Sequence, residues 1–159
     1  MNQKIKELLP YIIIVVVIVV IRTFFFTPIR VNGDSMNPTL IDGEIMILNK
    51  IDKIERFEIV VIKHQNEFLI KRIVGFPKEK IVYIEGKLYI NDKEVKDPYK
   101  NDFEIGHFSI ELNEDEYFVL GDNRDNSLDS RYIGPINKKN IVGTTKIVMY
   151  PFDRFGIVK

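Results

Sequence analysis

EIVVIKHQNEFLIKRIV, residues 58–74, decides the fold class. It holds two apolar runs, EIVVI at 58–62 and FLIKRIV at 68–74, each of strand length and rich in β-branched residues. Between them His64 ends the first run and Gln65-Asn66 reads as a turn. Outward from this hairpin the same signature recurs at EIMIL (44–48), KIVYI (80–84), KLYI (87–90), EYFVL (116–120) and TKIVMY (145–150). Glu85-Gly86 and Asn91-Asp92 stand between short runs as hairpin turns do. No stretch after Phe26 keeps a helical period. Residues 27–159 therefore predict a mainly β domain, an antiparallel β-barrel or a pair of packed sheets, without internal repeat or long linker.

The amino-terminal stretch is of another kind. LLPYIIIVVVIVVIRTFFF, residues 8–26, carries one charge, Arg22. As a helix these 19 residues reach about 28 Å, close to a hydrocarbon core of about 30 Å. Pro10 falls in the first turn, where a missing N–H costs little, and the Arg22 stem can reach the far interface. The stretch predicts a single transmembrane helix, preceded by a short tail at 1–7. Lys4 and Lys6 stand before it as in a cleavable secretory signal, but the following RTFFFTPIRVNG has no pair of small residues to cut at, so the anchor is read as retained. Charge leaves its orientation open, since Lys4 and Lys6 on one side face Arg22 and Arg30 on the other.

Composition narrows the chemistry. With 23 Lys+Arg against 23 Asp+Glu there is no basic surface to release counterions from nucleic acid, which is not an expected partner. No Cys is present, so disulfides, thiolate metal sites and a Cys nucleophile are excluded.

Three segments break the strand-and-turn pattern: VNGDSMNPTL at 31–40, LIKRIVGFP at 69–77 and GDNRDNSLDSRYIGP at 121–135. Ser35 alone reads as an ordinary turn residue. Lys71 and Arg72 point to opposite faces of one apolar strand, so one cation is expected to be semi-buried, as a salt bridge or as a functional lysine. Asp122, Asp125 and Asp129 are available partners. The third segment lacks the sixth-position Gly and twelfth-position Glu of a calcium loop and contains Arg124 and Arg131, so no metal is expected there. Neither His64 nor His107 lies in a motif, which leaves Lys71 as the available base. At an ordinary pKa of about 10.4 only about one Lys in 2,500 is neutral at pH 7. Burial beside Leu69 and Ile73 is the local means of lowering it.

In this order, behind one amino-terminal span, the segments resemble the sequence boxes of type I signal peptidases, in the compact Gram-positive-like form. Ser35-Met36-x-Pro38-Thr39-Leu40 resembles the nucleophile box, Lys71-Arg72-Ile73-Val74-Gly75-x-Pro77 the general-base box and Gly121 to Arg131 the closing box. Asp42-Gly43-Glu44 is similar to the intervening box, and Lys78-Glu79 departs from the family's usual Gly-Asp. The resemblance implies a membrane-bound serine endopeptidase that removes signal peptides from exported preproteins, cutting after small residues of Ala-x-Ala type, without cofactor. It implies Ser35 as nucleophile and Lys71 as base, Ser127 hydrogen-bonded to Lys71, and Asp129 paired with Arg131 as a brace. It also implies Ile29, Val31, Met36, Leu40 and Ile70 as the substrate-pocket lining. The Ser35 backbone N–H is the implied oxyanion donor, and Gly33 offers no side-chain donor beside it. The partners implied are signal peptides, membrane lipid and the secretion translocon, with the domain extracytoplasmic and the amino terminus cytoplasmic. Two rivals are a self-cleaving Ser/Lys fold of repressor type, disfavoured by the anchor, and a catalytically inactive membrane-tethered β module that binds extended peptides.

Overall fold

The computed structural model describes residues 3–99 and 106–158. A helix, α1 (Gln3–Phe24), runs into an eight-stranded antiparallel sheet made of β1 (Phe26–Arg30), β2 (Ile45–Asn49), β3 (Ile59–His64), β4 (Glu67–Gly75), β9 (Glu116–Leu120), β10 (Ile136–Asn137), β11 (Ile141–Tyr150) and β12 (Gly156–Ile157). A second sheet of β5 (Lys80–Ile84), β6 (Lys87–Ile90), β7 (Lys93–Val95) and β8 (Phe108–Glu111) is inserted between β4 and β9. One helical turn, α2 (Ser130–Ile133), follows β9.

The order β1-β2-β11-β3-β4-β9-β10 leaves β1 and β10 as unpaired edges among the described residues, so the expected barrel does not close and packed sheets are found instead. Both edges have a local cause. Pro28 in β1 has no N–H to give to a further strand, and β10 is two residues long and follows Pro135.

The deciding hairpin forms at Gln65-Asn66, with Gln65 at φ 53°. The turns Glu85-Gly86 and Asn91-Asp92 take positive φ at both positions, the geometry that matches strand twist in two-residue hairpins. Three apolar clusters result. One binds the small sheet to β4 and β9 through residues such as Val74, Tyr83 and Phe118. A second gathers Val31, Met36, Leu40, Met46 and Ile59, and a third Val60, Ile62, Ile73 and Val119.

The terminal carbonyls of α1 are capped from the domain. Lys50 Nζ donates to the Thr23 carbonyl at 2.8 Å, and Thr27 Oγ1 donates to that of Arg22 at 3.1 Å. Among the described residues no helix is long and apolar enough to cross a membrane. α1 ends at Phe24, so Phe26, expected as the last residue of the 8–26 span, opens β1 instead; the described α1 side chains from Leu8 to Val20 around Pro10 are apolar and exposed.

Candidate active site

β4 is an interior strand, paired with β3 along its length and with β9 from Arg72 onward, and it is buried from Lys71 to Gly75. The register sets Lys71 against Val60, on the face shared with Leu69 and Ile73. Arg72 stands against Ile59 and Leu120 on the other face. One semi-buried cation was expected; both are buried, Lys71 at 2% exposure and Arg72 at 1%. Arg72 is neutralised by a two-pronged pair with Asp122 at 2.8 and 2.6 Å, donates to the Phe57 carbonyl and lies 3.4 Å above the Tyr99 ring.

Among the described residues Lys71 has no such ion pair. Its Nζ donates to Ser35 Oγ at 2.7 Å and to the Ile70 carbonyl at 2.9 Å. Burial lowers its pKa from the ordinary 10.5 to about 8, against the opposing pull of the Asp129 and Asp122 charges. A quenched lysine would be salt-bridged. This one is held beside a hydroxyl and brought within reach of neutrality near physiological pH.

Ser35 lies on the loop after β1, pinned at both ends by Val31 N–H to Glu44 O at 2.8 Å and Gly43 N–H to Val31 O at 2.9 Å. Val31, Met36 and Leu40 are buried beneath it and fix its path. Gly33 sits at φ 81°, which favours glycine, and gives its N–H to Asp42 Oδ1 at 2.7 Å. From the other side Asn123 donates its backbone N–H to the Ser35 carbonyl and its side-chain Nδ2 to the Asp34 carbonyl, both at 3.1 Å. The Ser35 N–H has no hydrogen-bond partner among the described residues.

The 121–131 loop is built around buried Asp129, which accepts from Gly121 N at 3.0 Å, caps α2 through Arg131 N and takes Arg131 Nε and Nη2 at 2.8 and 2.9 Å. Gly121 admits no side chain, since a Cβ there would stand 2.2 Å from Ser127 Oγ and 2.4 Å from the Ser35 carbonyl oxygen. The hydrogen bond expected from Ser127 to Lys71 is not made. Lys71 directs its donors to Ser35 and Ile70, and the buried Ser127 hydroxyl, wedged against Gly121, has no partner among the described residues.

A cleft of about 770 Å³ opens between β1 and the start of β4, with Leu48, Val61 and Val142 as its floor and Ile29, Phe68 and Ile70 among its walls. Of the five residues expected to line a substrate pocket, Ile29 and Ile70 line this cleft, while Val31, Met36 and Leu40 are buried in the core. Sequence reasoning missed Asn123 and Asp42, although both lie in motifs it had quoted. It also missed Arg154, which donates to buried Glu44 at 2.5 Å and to the Thr39 carbonyl at 3.0 Å, tying the carboxyl-terminal segment to the Ser35 loop. No sequence signal marks Arg154.

The family model described as Signal peptidase, peptidase S26, matches residues 5–150. Similar proteins include Signal peptidase I of Bacillus amyloliquefaciens, 41% identical over 154 residues, covering 87% of this chain and 83% of that one. Signal peptidase I U of Bacillus subtilis strain 168 is 38% identical over 176 residues, covering 99% and 94%. The crystal structure of a signal peptidase I from Enterococcus faecalis V583 superposes with a TM-score of 0.54 at 29% identity, covering 59% of this chain and 97% of that one.

Proposed function

The chain belongs to the signal peptidase family, peptidase S26, and is thus a serine-class peptidase; from that premise we propose that it removes signal peptides from exported preproteins with Ser35 as nucleophile and Lys71 as general base. The observation that carries this reading is the 2.7 Å contact between Ser35 Oγ and the buried Lys71 Nζ, whose pKa is about 8. At pH 8 about half of such lysines are neutral.

In the proposed cycle neutral Lys71 takes the Ser35 proton as Oγ adds to the scissile carbonyl carbon. The oxyanion forms beside the Ser35 N–H. Collapse breaks the C–N bond, the departing amine takes the proton from Lys71, and the signal peptide remains as an ester on Ser35. Lys71, neutral again, deprotonates a water that attacks the ester, then returns that proton to Ser35 Oγ. Asp129 with Arg131 and Asp122 with Arg72 hold the surrounding backbone.

Substrate enters extended in the cleft between β1 and β4, which offers backbone pairing and shallow apolar walls. Ile29 and Ile70 there suit small apolar side chains of the Ala-x-Ala kind. The helix α1 supports membrane tethering, because apolar side chains exposed all round its axis suit lipid and not water. The proposed arrangement is a single-pass anchor with a cytoplasmic amino terminus and an extracytoplasmic domain, lipid and the secretion translocon being its neighbours. Protease accessibility on intact cells tests that topology.

The decisive experiment is cleavage of a signal-peptide substrate by detergent-solubilised wild type, Ser35→Ala and Lys71→Ala. Both variants are expected to lose activity by about 10³-fold or more. A variant cleaving at the parental rate refutes the dyad, and a wild type that neither cleaves nor is labelled by a serine-acylating inhibitor points to an inactive peptide-binding module.

A further inference from the structure

After β7 of the small sheet comes a segment with no hydrogen bond to Ser35 or Lys71 that nonetheless contacts two buried arginines, Arg124 of the 121–131 loop and Arg72 of β4. Asp97, its side chain 3% exposed, accepts from Arg124 Nη1 at 2.7 Å, from Tyr99 N at 3.0 Å and from the Tyr83 hydroxyl. Burial alone would raise the Asp97 pKa, but the hydrogen bond and charge of Arg124 outweigh it and hold the carboxyl below its ordinary range. Arg124, fully buried, passes the link on through Nε to the Gly121 carbonyl at 2.9 Å. Gly121 abuts the Ser35 backbone, and neighbouring Asn123 donates to the Ser35 carbonyl. Two residues after Asp97, the Tyr99 ring lies 3.4 Å from the Arg72 guanidinium, and Arg72 is the chain neighbour of Lys71.

Resting on the Ser35–Lys71 reading, we propose that the 97–99 segment is a positioning clamp for the dyad, with Asp97 setting the Ser35 side through Arg124 and Tyr99 setting the Lys71 side through Arg72. The small sheet then has a catalytic duty beyond covering β4 and β9. One short segment thus contacts both buried cations that flank the dyad, Arg124 through Asp97 and Arg72 through the Tyr99 ring. Displacement of either lets Ser35 or Lys71 drift, and a misplacement of about 1 Å at a reacting group can cost about a hundredfold in rate. Neither residue is a catalytic residue in the sense of touching substrate. Nothing in the sequence marks them, since Asp97-Pro98-Tyr99 lies outside all the motifs quoted above.

The test uses the full chain in detergent, with active sites counted by a serine-acylating inhibitor so that rates are per competent molecule. Asp97→Asn, which keeps shape and removes the charge, is expected to lower kcat per active site about tenfold or more with KM changed less than about twofold. Tyr99→Leu is expected to lower kcat and to move the pH midpoint of kcat/KM upward, as a loosened Arg72 lets β4 shift and relaxes the burial of the neighbouring Lys71. Tyr99→Phe keeps the ring over Arg72 and is expected to regain most of the loss. Unchanged kcat per active site and an unchanged pH midpoint in both Asp97→Asn and Tyr99→Leu overturn the clamp, even if fewer molecules are competent. Failure of the dyad itself is separate, because it would show as a wild type that the inhibitor does not label.

Discussion

Replacing Lys71 by Met is predicted to make the protein more stable while abolishing turnover. A lysine whose pKa falls from 10.5 to about 8 on folding penalises the folded state whenever it is charged. At about 1.4 kcal/mol per tenfold change this amounts to about 3 kcal/mol. At 2% exposure, little solvent screening reduces that figure. The lost donors to Ser35 Oγ and the Ile70 carbonyl return about 1 kcal/mol, leaving a gain of about 2 kcal/mol, or about 4–8 °C in Tm. The sign has a pH signature. Between about pH 8 and 10.5 the unfolded chain binds more protons at this position than the folded one, so the wild type gains stability as pH rises. The variant lacks that gain, and its advantage should be full below pH 8 and gone above 10.5. Urea unfolding of wild type and Lys71→Met followed by tyrosine fluorescence at pH 6.5, 8 and 9.5 measures it, with other titrations cancelling in the difference. A variant less stable at every pH, or an advantage that grows with pH, would refute the assignment of burial as the cause.

Wild-type kcat/KM should rise with pH through a midpoint of about 8 and then level, as the base becomes neutral; a profile flat from pH 6 to 9 contradicts a lysine base of that pKa. Asp122→Ala should cost about 3–5 kcal/mol in denaturant titration by stranding buried Arg72, whereas Arg72→Met with Asp122→Leu together should cost far less. Gly121→Ala should depress kcat by about a hundredfold while KM moves little, because the new Cβ must push the Ser35 backbone or Ser127 aside; steady-state kinetics on a peptide substrate reads this.

The strands legible in the sequence are those with an unbroken apolar run of three residues or more, sharpest where two-residue turns close the run. The 80–84 and 87–90 runs match β5 and β6 to the residue for that reason. β1 is absent from the runs read as strands, since Pro28 and Arg30 break any apolar run there, and it is half-exposed along its length. β11 was read only from residue 145, since Gly143 looks like a break. Its glycine is a close approach within the sheet, where a Cβ would meet the Asn49 carbonyl oxygen at 2.3 Å. Strands of two or three residues, β7, β10 and β12, carry too little pattern to read and are set by their partners.

The site divides in the same way. Residues proposed to act by chemical type, Ser35 and Lys71, are legible because few side chains could do that work, whereas residues that act by placement are visible only in three dimensions. Gly33 shows the difference. The sequence says only that it lacks a hydroxyl; the structure adds that its N–H is given to Asp42 at 2.7 Å, so that amide is also withdrawn from any oxyanion. The Ser35 N–H, with no partner among the described residues, is then the donor the loop keeps open. Holding that one donor in place falls to Asn123 on the Ser35 carbonyl and, through Gly121, to Arg124. A site short of donors depends more heavily on how rigidly the remaining one is held. That dependence is a physical reason for this chain to spend buried arginines, and a whole inserted sheet, on the backbone around a single serine.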